Sequence, residues 1–115
     1  MKDVSKKQFH AVTVLVSDKD VVPERKATNK ERARIYGLYK RATFGKLHGP
    51  YDSQDKDIED RPRSRPNAMK VEARAKYDAW EKCQDMSQQE AMNEYVKLAY
   101  DTVGQQVKMT LKSTA

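Results

Sequence analysis

"IYGLYKRATFG", residues 35–45, sets Tyr36, Tyr39, Lys40 and Arg41 close together on a segment with helical spacing. Just before it, "TNKE", 28–31, has the pattern of a capping box, in which Thr28 accepts from a first-turn amide and Glu31 reaches back to the cap. The pair predicts a helix over about 29–43. Its apolar stripe is Ile35, Leu38, Tyr39 and Ala42, and Gly45 stops it. Arg32, Tyr36, Lys40 and Thr43 step by four, four and three, so they share one face at the border of that stripe. An anion lying there meets two cations and a phenol donor.

Working outward, the remaining segments also read as helices. Phe9, Val12 and Val16 fall at helical spacing in a first helix over 4–17, although "VTVLV" is β-branched. Residues 18–27, "DKDVVPERKA", are a linker. Residues 46–64, "KLHGPYDSQDKDIEDRPRS", form a long acidic loop, and loops of that length tend to be functional or mobile. A third helix is expected over about 67–84, with Met69, Ala73, Tyr77, Trp80 and Gln84 on one side and Lys76 at its edge. "SQQE", 87–90, is a second capping box. It opens a fourth helix running to about 110, with Met92, Val96, Ala99, Val103 and Val107 at helical spacing and Tyr95 one step off the stripe. No strand pattern persists and there is no internal repeat. The fold class is all-α, a four-helix bundle in one domain spanning 1–115.

Composition narrows the function. The chain has 115 residues, 37% apolar and 35% charged, which implies a thin core under a charged surface. The net charge of +6 is uneven: residues 23–48 hold eight Lys/Arg and two acids, a local +6. Such a field calls for an anionic partner. The longest apolar run, "AVTVLV" at 11–16, is far short of a membrane span. It is also too short, and too poor in small residues after it, for a signal peptide. Lys2 and the ending "KSTA" exclude myristoylation and prenylation signals. Cys83 is the sole cysteine, so a reducing, cytoplasmic location is expected. His10 and His48 lie far apart and Cys83 has no neighbouring ligand, so no metal is expected. The acids from Asp55 begin like a calcium loop, but its glycine position is Asp60 and its twelfth is Pro66. No nucleophile-with-base pattern or Gly-rich phosphate loop is present, so the protein reads as a binder, not an enzyme.

Three ordered motifs resemble the acyl-CoA-binding protein family. "YGLYKRATFG", 36–45, is similar to the family's signature helix. Arg65-Pro66 is followed eleven residues after the arginine by Lys76, in "AKYDAW", as in the family's Arg-Pro and Lys-Trp-x-x-Trp run. "SQQEAMNEY", 87–95, matches the last segment. The resemblance implies an up-down-down-up four-helix bundle that binds long-chain acyl-CoA esters without covalent chemistry, and buffers and transports them. It needs no cofactor beyond this ligand. It implies a monomer, with transient contacts to membranes or acyl-CoA-using enzymes and no nucleic acid. By position, Tyr36, Tyr39 and Lys40 contact the 3′-phosphate and adenine region, with Gly37 and Leu38 lining the same patch. Lys76 adds a second cation, and Tyr95 packs on the adenine. The acyl chain runs near Arg32, Ala33 and Ile35.

This sequence departs from the family at several places. Arg41 replaces a glutamine and Lys46 an acid, both raising positive charge. Glu72 stands where a lysine is common, Tyr77 replaces the first tryptophan, and Asn67 replaces a glycine. Residues 49–62 lengthen the loop between helices 2 and 3. Arg32 occupies a usual chain-lining position, which predicts an altered chain-length preference. The longer linker 18–27 leaves the basic contact of helix 1 unplaced. A small basic helical nucleic-acid binder is the rival reading of the charge and aromatics. It does not account for three motifs in family order.

Overall fold

Three helices begin alike. Ser5, Thr28 and Ser87 each accept from the amide three residues on, and the side chains of Gln8, Glu31 and Glu90 each accept from or close back on the cap's own amide. The boxes at Thr28 and Ser87 are the two predicted ones. The box at Ser5 was not read, and it starts the first helix at Lys6 instead of residue 4. Val4, just before that cap, is buried with Phe9, fixing the entry of the chain as a hydrophobic staple does.

The computed structural model describes residues 2–115. It is all-helical, with α1 at Lys6–Ser17, α2 at Asn29–Thr43, α3 at Val71–Glu81, α4 at Gln88–Val103 and α5 at Gln105–Ser113, plus a single 3-10 turn at Ile58–Asp60. The expected fourth helix is therefore two. Gly104 breaks it with φ +95° and ψ −141°, a conformation that L side chains rarely adopt. The break is held from the α1–α2 linker: the Glu24 carboxylate accepts from the Gln105 amide at 2.8 Å, capping α5. Glu24 N–H and Arg25 N–H bond to the carbonyls of Val103 and Thr102. The linker is thus pinned to the α4–α5 junction. Val107, read as part of α4, is buried as part of α5.

α3 is shorter than its expected 67–84. Met69 lies before it and is 91% exposed, and Ala73 is exposed too. Tyr77 and Trp80 are buried as the pattern predicted, packed with Leu47 and Phe44 in a small second core.

Packing is organised by α4 and α2. α4 contacts α1, α2 and α5, while α2 contacts α3 and α4. Neither α1 with α2 nor α3 with α4 is in backbone contact. The molecule is only 21 Å thick, about two helix diameters, so every helix keeps one face in water. The main core runs from Phe9 and Val12 through Leu38 and Ala42 to Val96, Ala99 and Val103. Gly37 permits the α2–α3 crossing, since a Cβ there would sit 2.3 Å from the Ala79 carbonyl oxygen.

The loop 46–64 is tied down. Arg61 is 7% exposed, and its guanidinium donates to the carbonyls of Lys46, Phe44 and Lys56. The Lys56 amide also donates to Phe44 O at 2.8 Å. The loop therefore docks against the C-terminal end of α2.

Candidate functional site

Because α1 and α2 do not touch through their backbones, a cavity opens between them. It is lined by His10, Thr13, Val14 and Ser17 of α1, by Ile35, Tyr36 and Tyr39 of α2, and by Tyr95 of α4. Phe9, Tyr39 and Tyr95 form an aromatic cluster there. Phe9 meets Tyr95 edge-on at 5.1 Å, and Tyr39 lies 6.4 Å from each. Tyr95, one step off the predicted stripe, is 3% exposed and belongs to the core. Burial, with a smaller contribution from Tyr39, pushes its phenol well above the usual tyrosine range. It remains a neutral donor at any physiological pH.

Beside this cavity stand two cations, Lys40 on α2 and Lys76 on α3. Lys40 Nζ is 5.9 Å and Lys76 Nζ 5.2 Å from the centre of the Tyr36 ring. Lys40 also lies 3.7 Å from the Phe44 ring centre and 5.0 Å from that of Trp80. Trp80 is fixed by its indole N–H, which donates to Gly45 O at 2.9 Å. The two lysines differ. Lys76 is exposed and has a partner one turn back, Glu72 at 3.4 Å. Lys40 is half-buried and forms no ion pair among the described residues. Its ammonium pKa is lowered, first by burial and then by the positive charge of Arg61, against a weaker pull from Asp57. An unpaired, partly desolvated ammonium gains most from an incoming anion.

A second concavity lies on the other side of α2, where α3 and α4 do not meet. This groove of about 600 Å³ is floored by Ala33, Leu38, Ala75, Ala79 and Leu98. Its rim is charged and of mixed sign, with Lys30, Arg34, Lys82, Lys97, Glu94 and Asp101.

The expected site residues therefore divide. Tyr36, Tyr39, Lys40, Lys76 and Tyr95 come together. Gly37 and Leu38 do not join them: Gly37 is against the backbone of α3, and Leu38, 1% exposed, is core and groove floor. Of the residues expected along the chain, Ile35 faces the α1–α2 cavity and Ala33 the groove. Arg32 is exposed between them, with its guanidinium on Asn29 Oδ1 at 2.9 Å. Sequence reasoning missed Phe9, Thr13 and Val14, since the pairing of α1 with the site was hidden by its long linker. It also missed Arg61. Two Arg-Pro pairs stand four residues apart, and spacing to Lys76 favoured Arg65. In the structure Arg65 forms a bidentate pair with Asp78 at 2.6 and 2.8 Å, while Arg61 is the buried one.

Among the described residues no group of His, Cys, Asp and Glu converges on a metal position. Among the same residues no helix is long and apolar enough to cross a membrane. What the geometry defines is a small helical protein with two lysines and an aromatic cluster beside one concavity and an apolar groove across α2.

The chain belongs to the acyl-CoA-binding protein family, whose pattern it matches over residues 6–99. It is 32% identical over 84 residues to the acyl-CoA-binding protein of Ricinus communis, covering 73% of this chain and 77% of that one. Over 74 residues it is 38% identical to the acyl-CoA-binding protein of Dictyostelium discoideum, covering 64% and 71%. It spans less of some relatives: 60% of acyl-CoA-binding domain-containing protein 6 of Arabidopsis thaliana, at 38% identity over 69 residues and 60% of this chain. Of domain-containing protein 1 from the same plant it spans 18%, at 36% identity over 74 residues and 64% of this chain.

Proposed function

We propose that this chain binds long-chain acyl-CoA esters non-covalently and serves to buffer and carry them, without a catalytic step of its own. The observation that carries this reading is the placement of Lys40 and Lys76 about the single ring of Tyr36. That placement lies on a ridge between an aromatic cavity and an apolar groove. The 3′-phosphate sits between the two ammonium groups, and the adenine enters the α1–α2 cavity over Tyr36 and Tyr39, with Tyr95 at its floor. The acyl chain crosses α2 past Ala33 into the groove walled by Ala75, Ala79 and Leu98. Arg32, on the exposed ridge, meets the chain's flank, which is why it is expected to shift chain-length preference.

The energetics support tight binding. Each buried methylene contributes about 0.8 kcal/mol, and each charge-assisted phosphate bond about 1.5–3 kcal/mol. Against them stands an association cost of about 4–15 kcal/mol. Half a long chain plus two cations exceeds the lower part of that range. In this reading α1 to α4 form the up-down-down-up bundle and α5 is an addition to it. Residues 1–115 act as one acyl-CoA-binding domain, with 46–64 as its extended loop. The protein works as a cytoplasmic monomer.

Calorimetric titration with palmitoyl-CoA, free CoA and a single-stranded oligonucleotide tests this. The expected result is one site for palmitoyl-CoA with Kd of about 1 µM or tighter, much weaker binding of CoA, and none of the oligonucleotide. Equal affinity for acylated and free CoA, or salt-sensitive oligonucleotide binding, would refute the proposal.

A further inference from the structure

The loop between α2 and α3 places one more cation close to Lys40. Arg61 lies within residues 49–62, the stretch that lengthens this loop. Its side chain lines neither the α1–α2 cavity nor the groove, and it is buried. All three guanidinium nitrogens donate to backbone: Nη2 to Phe44 O at 2.7 Å, Nε to Lys46 O at 3.0 Å and Nη1 to Lys56 O. Carbonyl dipoles solvate a buried charge, but they do not neutralise it. Arg61 forms no ion pair among the described residues. Its positive charge is therefore held in place and left uncompensated.

Two contacts tie that charge to the lysine. Phe44, whose carbonyl accepts from Arg61, carries the ring that lies 3.7 Å from Lys40 Nζ. The Trp80 ring centre lies 5.6 Å from Arg61 Cζ and 5.0 Å from Lys40 Nζ. Arg61 thus bears on the backbone and on the ring that Lys40 rests against. Its charge is felt there: after burial, it is the next cause of the lowered ammonium pKa of Lys40. Cations that repel each other in the free protein all gain when an anion arrives. A latch for the loop alone has no need of an uncompensated charge beside a lysine. We propose that Arg61 is a positioning residue of the phosphate site: without touching the ligand, it fixes the end of α2 beneath Lys40 and adds a third positive charge to the field that the 3′-phosphate enters. This deepens the proposed function and rests on its placement of that phosphate between Lys40 and Lys76. It also gives the lengthened loop a task in binding.

The test is titration of the parent, Arg61→Gln and Arg61→Lys with palmitoyl-CoA and with its 3′-dephospho analogue near neutral pH, with thermal melts to show folding. The parent is expected to bind palmitoyl-CoA the more tightly of the two. Arg61→Gln, which loses the charge, should weaken palmitoyl-CoA about tenfold and the analogue less than about twofold. Arg61→Lys, which keeps the charge but loses the planar fork, should weaken palmitoyl-CoA only about threefold. A merely structural residue would cost both ligands alike, because the contacts they share would loosen together. Equal losses with the two ligands, no loss with palmitoyl-CoA, or a lysine variant no better than the glutamine one overturns the proposal. If Arg61→Gln does not fold, Arg61→Lys decides: a loss confined to palmitoyl-CoA upholds the proposal, and no loss, or one shared with the analogue, overturns it. A parent that binds both ligands equally defeats the phosphate placement itself and this inference with it. A parent that separates them, with both variants matching it, defeats the inference alone.

Discussion

Lys40 and Lys76 share one phenol ring but not one electrical environment. Glu72 already neutralises part of Lys76, while Lys40 faces Arg61 and the rings of Phe44 and Trp80. Lys40 thus loses its proton below the ordinary lysine value of 10.5. The charged form is what a phosphate needs, so affinity should decline as pH rises through that lowered pKa and before 10.5 is reached. Lys40→Arg should hold its affinity to higher pH, since a guanidinium keeps its charge there. Titrations at stepped alkaline pH measure this, and identical profiles for the two proteins would remove Lys40 from the phosphate contact. Tyr36, Lys40 and Lys76 were legible because two of them share a helix face and the third follows at fixed spacing. Arg61 was not legible, because what separates it from Arg65 is three carbonyls, one from the end of α2 at Phe44 and two from the loop at Lys46 and Lys56. Tyr95 was assigned its place but not its depth: the ring of Phe9, eighty-six residues away in the chain, is what covers it.

Each helix owes its start to local chemistry and its end to distant contacts. Capping boxes at Thr28 and Ser87 could be read from four residues each, and α2 has the bounds that its box and Gly45 predicted. α4 has not, because the bond from Glu24 that holds Gly104 in place joins segments eighty residues apart. Gly37 shows the same contrast. As a residue within a helix it looks like a weakness costing about 1 kcal/mol against alanine. In the fold it is what lets α3 cross α2. Gly37→Ala should therefore destabilise the protein by about 2 kcal/mol despite its better helix propensity, because the added methyl meets backbone that cannot rotate away. Urea denaturation reads the change, and a stabilised variant would show that the α2–α3 crossing tolerates a wider spacing. The loop 46–64 was expected from its composition, but its docking by Arg61 was not. It belongs to the platform beneath Lys40, so trimming that spares Arg61 is the safer way to probe its acidic part.

At the scale of the whole molecule, a two-layer arrangement in which α4 and α2 gather the other helices leaves two gaps, one on each side of α2. The charge pattern called for an anionic partner, and the family motifs implied binding residues on several helices. The structure has a cavity with aromatic walls and a groove with an apolar floor on opposite sides of α2, with Lys40 of α2 and Lys76 of α3 near the cavity. In the proposed reading, that division gives the nucleotide and the fatty chain of one ligand separate places. Its central claim is that Lys40 and Lys76 act on the same phosphate. The direct measurement is the affinity of Lys40→Ala and Lys76→Ala for palmitoyl-CoA and for its 3′-dephospho analogue. Each substitution should weaken palmitoyl-CoA binding by about tenfold or more, and should cost the analogue little, since the group that both lysines hold is gone. Equal losses with both ligands, or no loss with palmitoyl-CoA, would contradict the account.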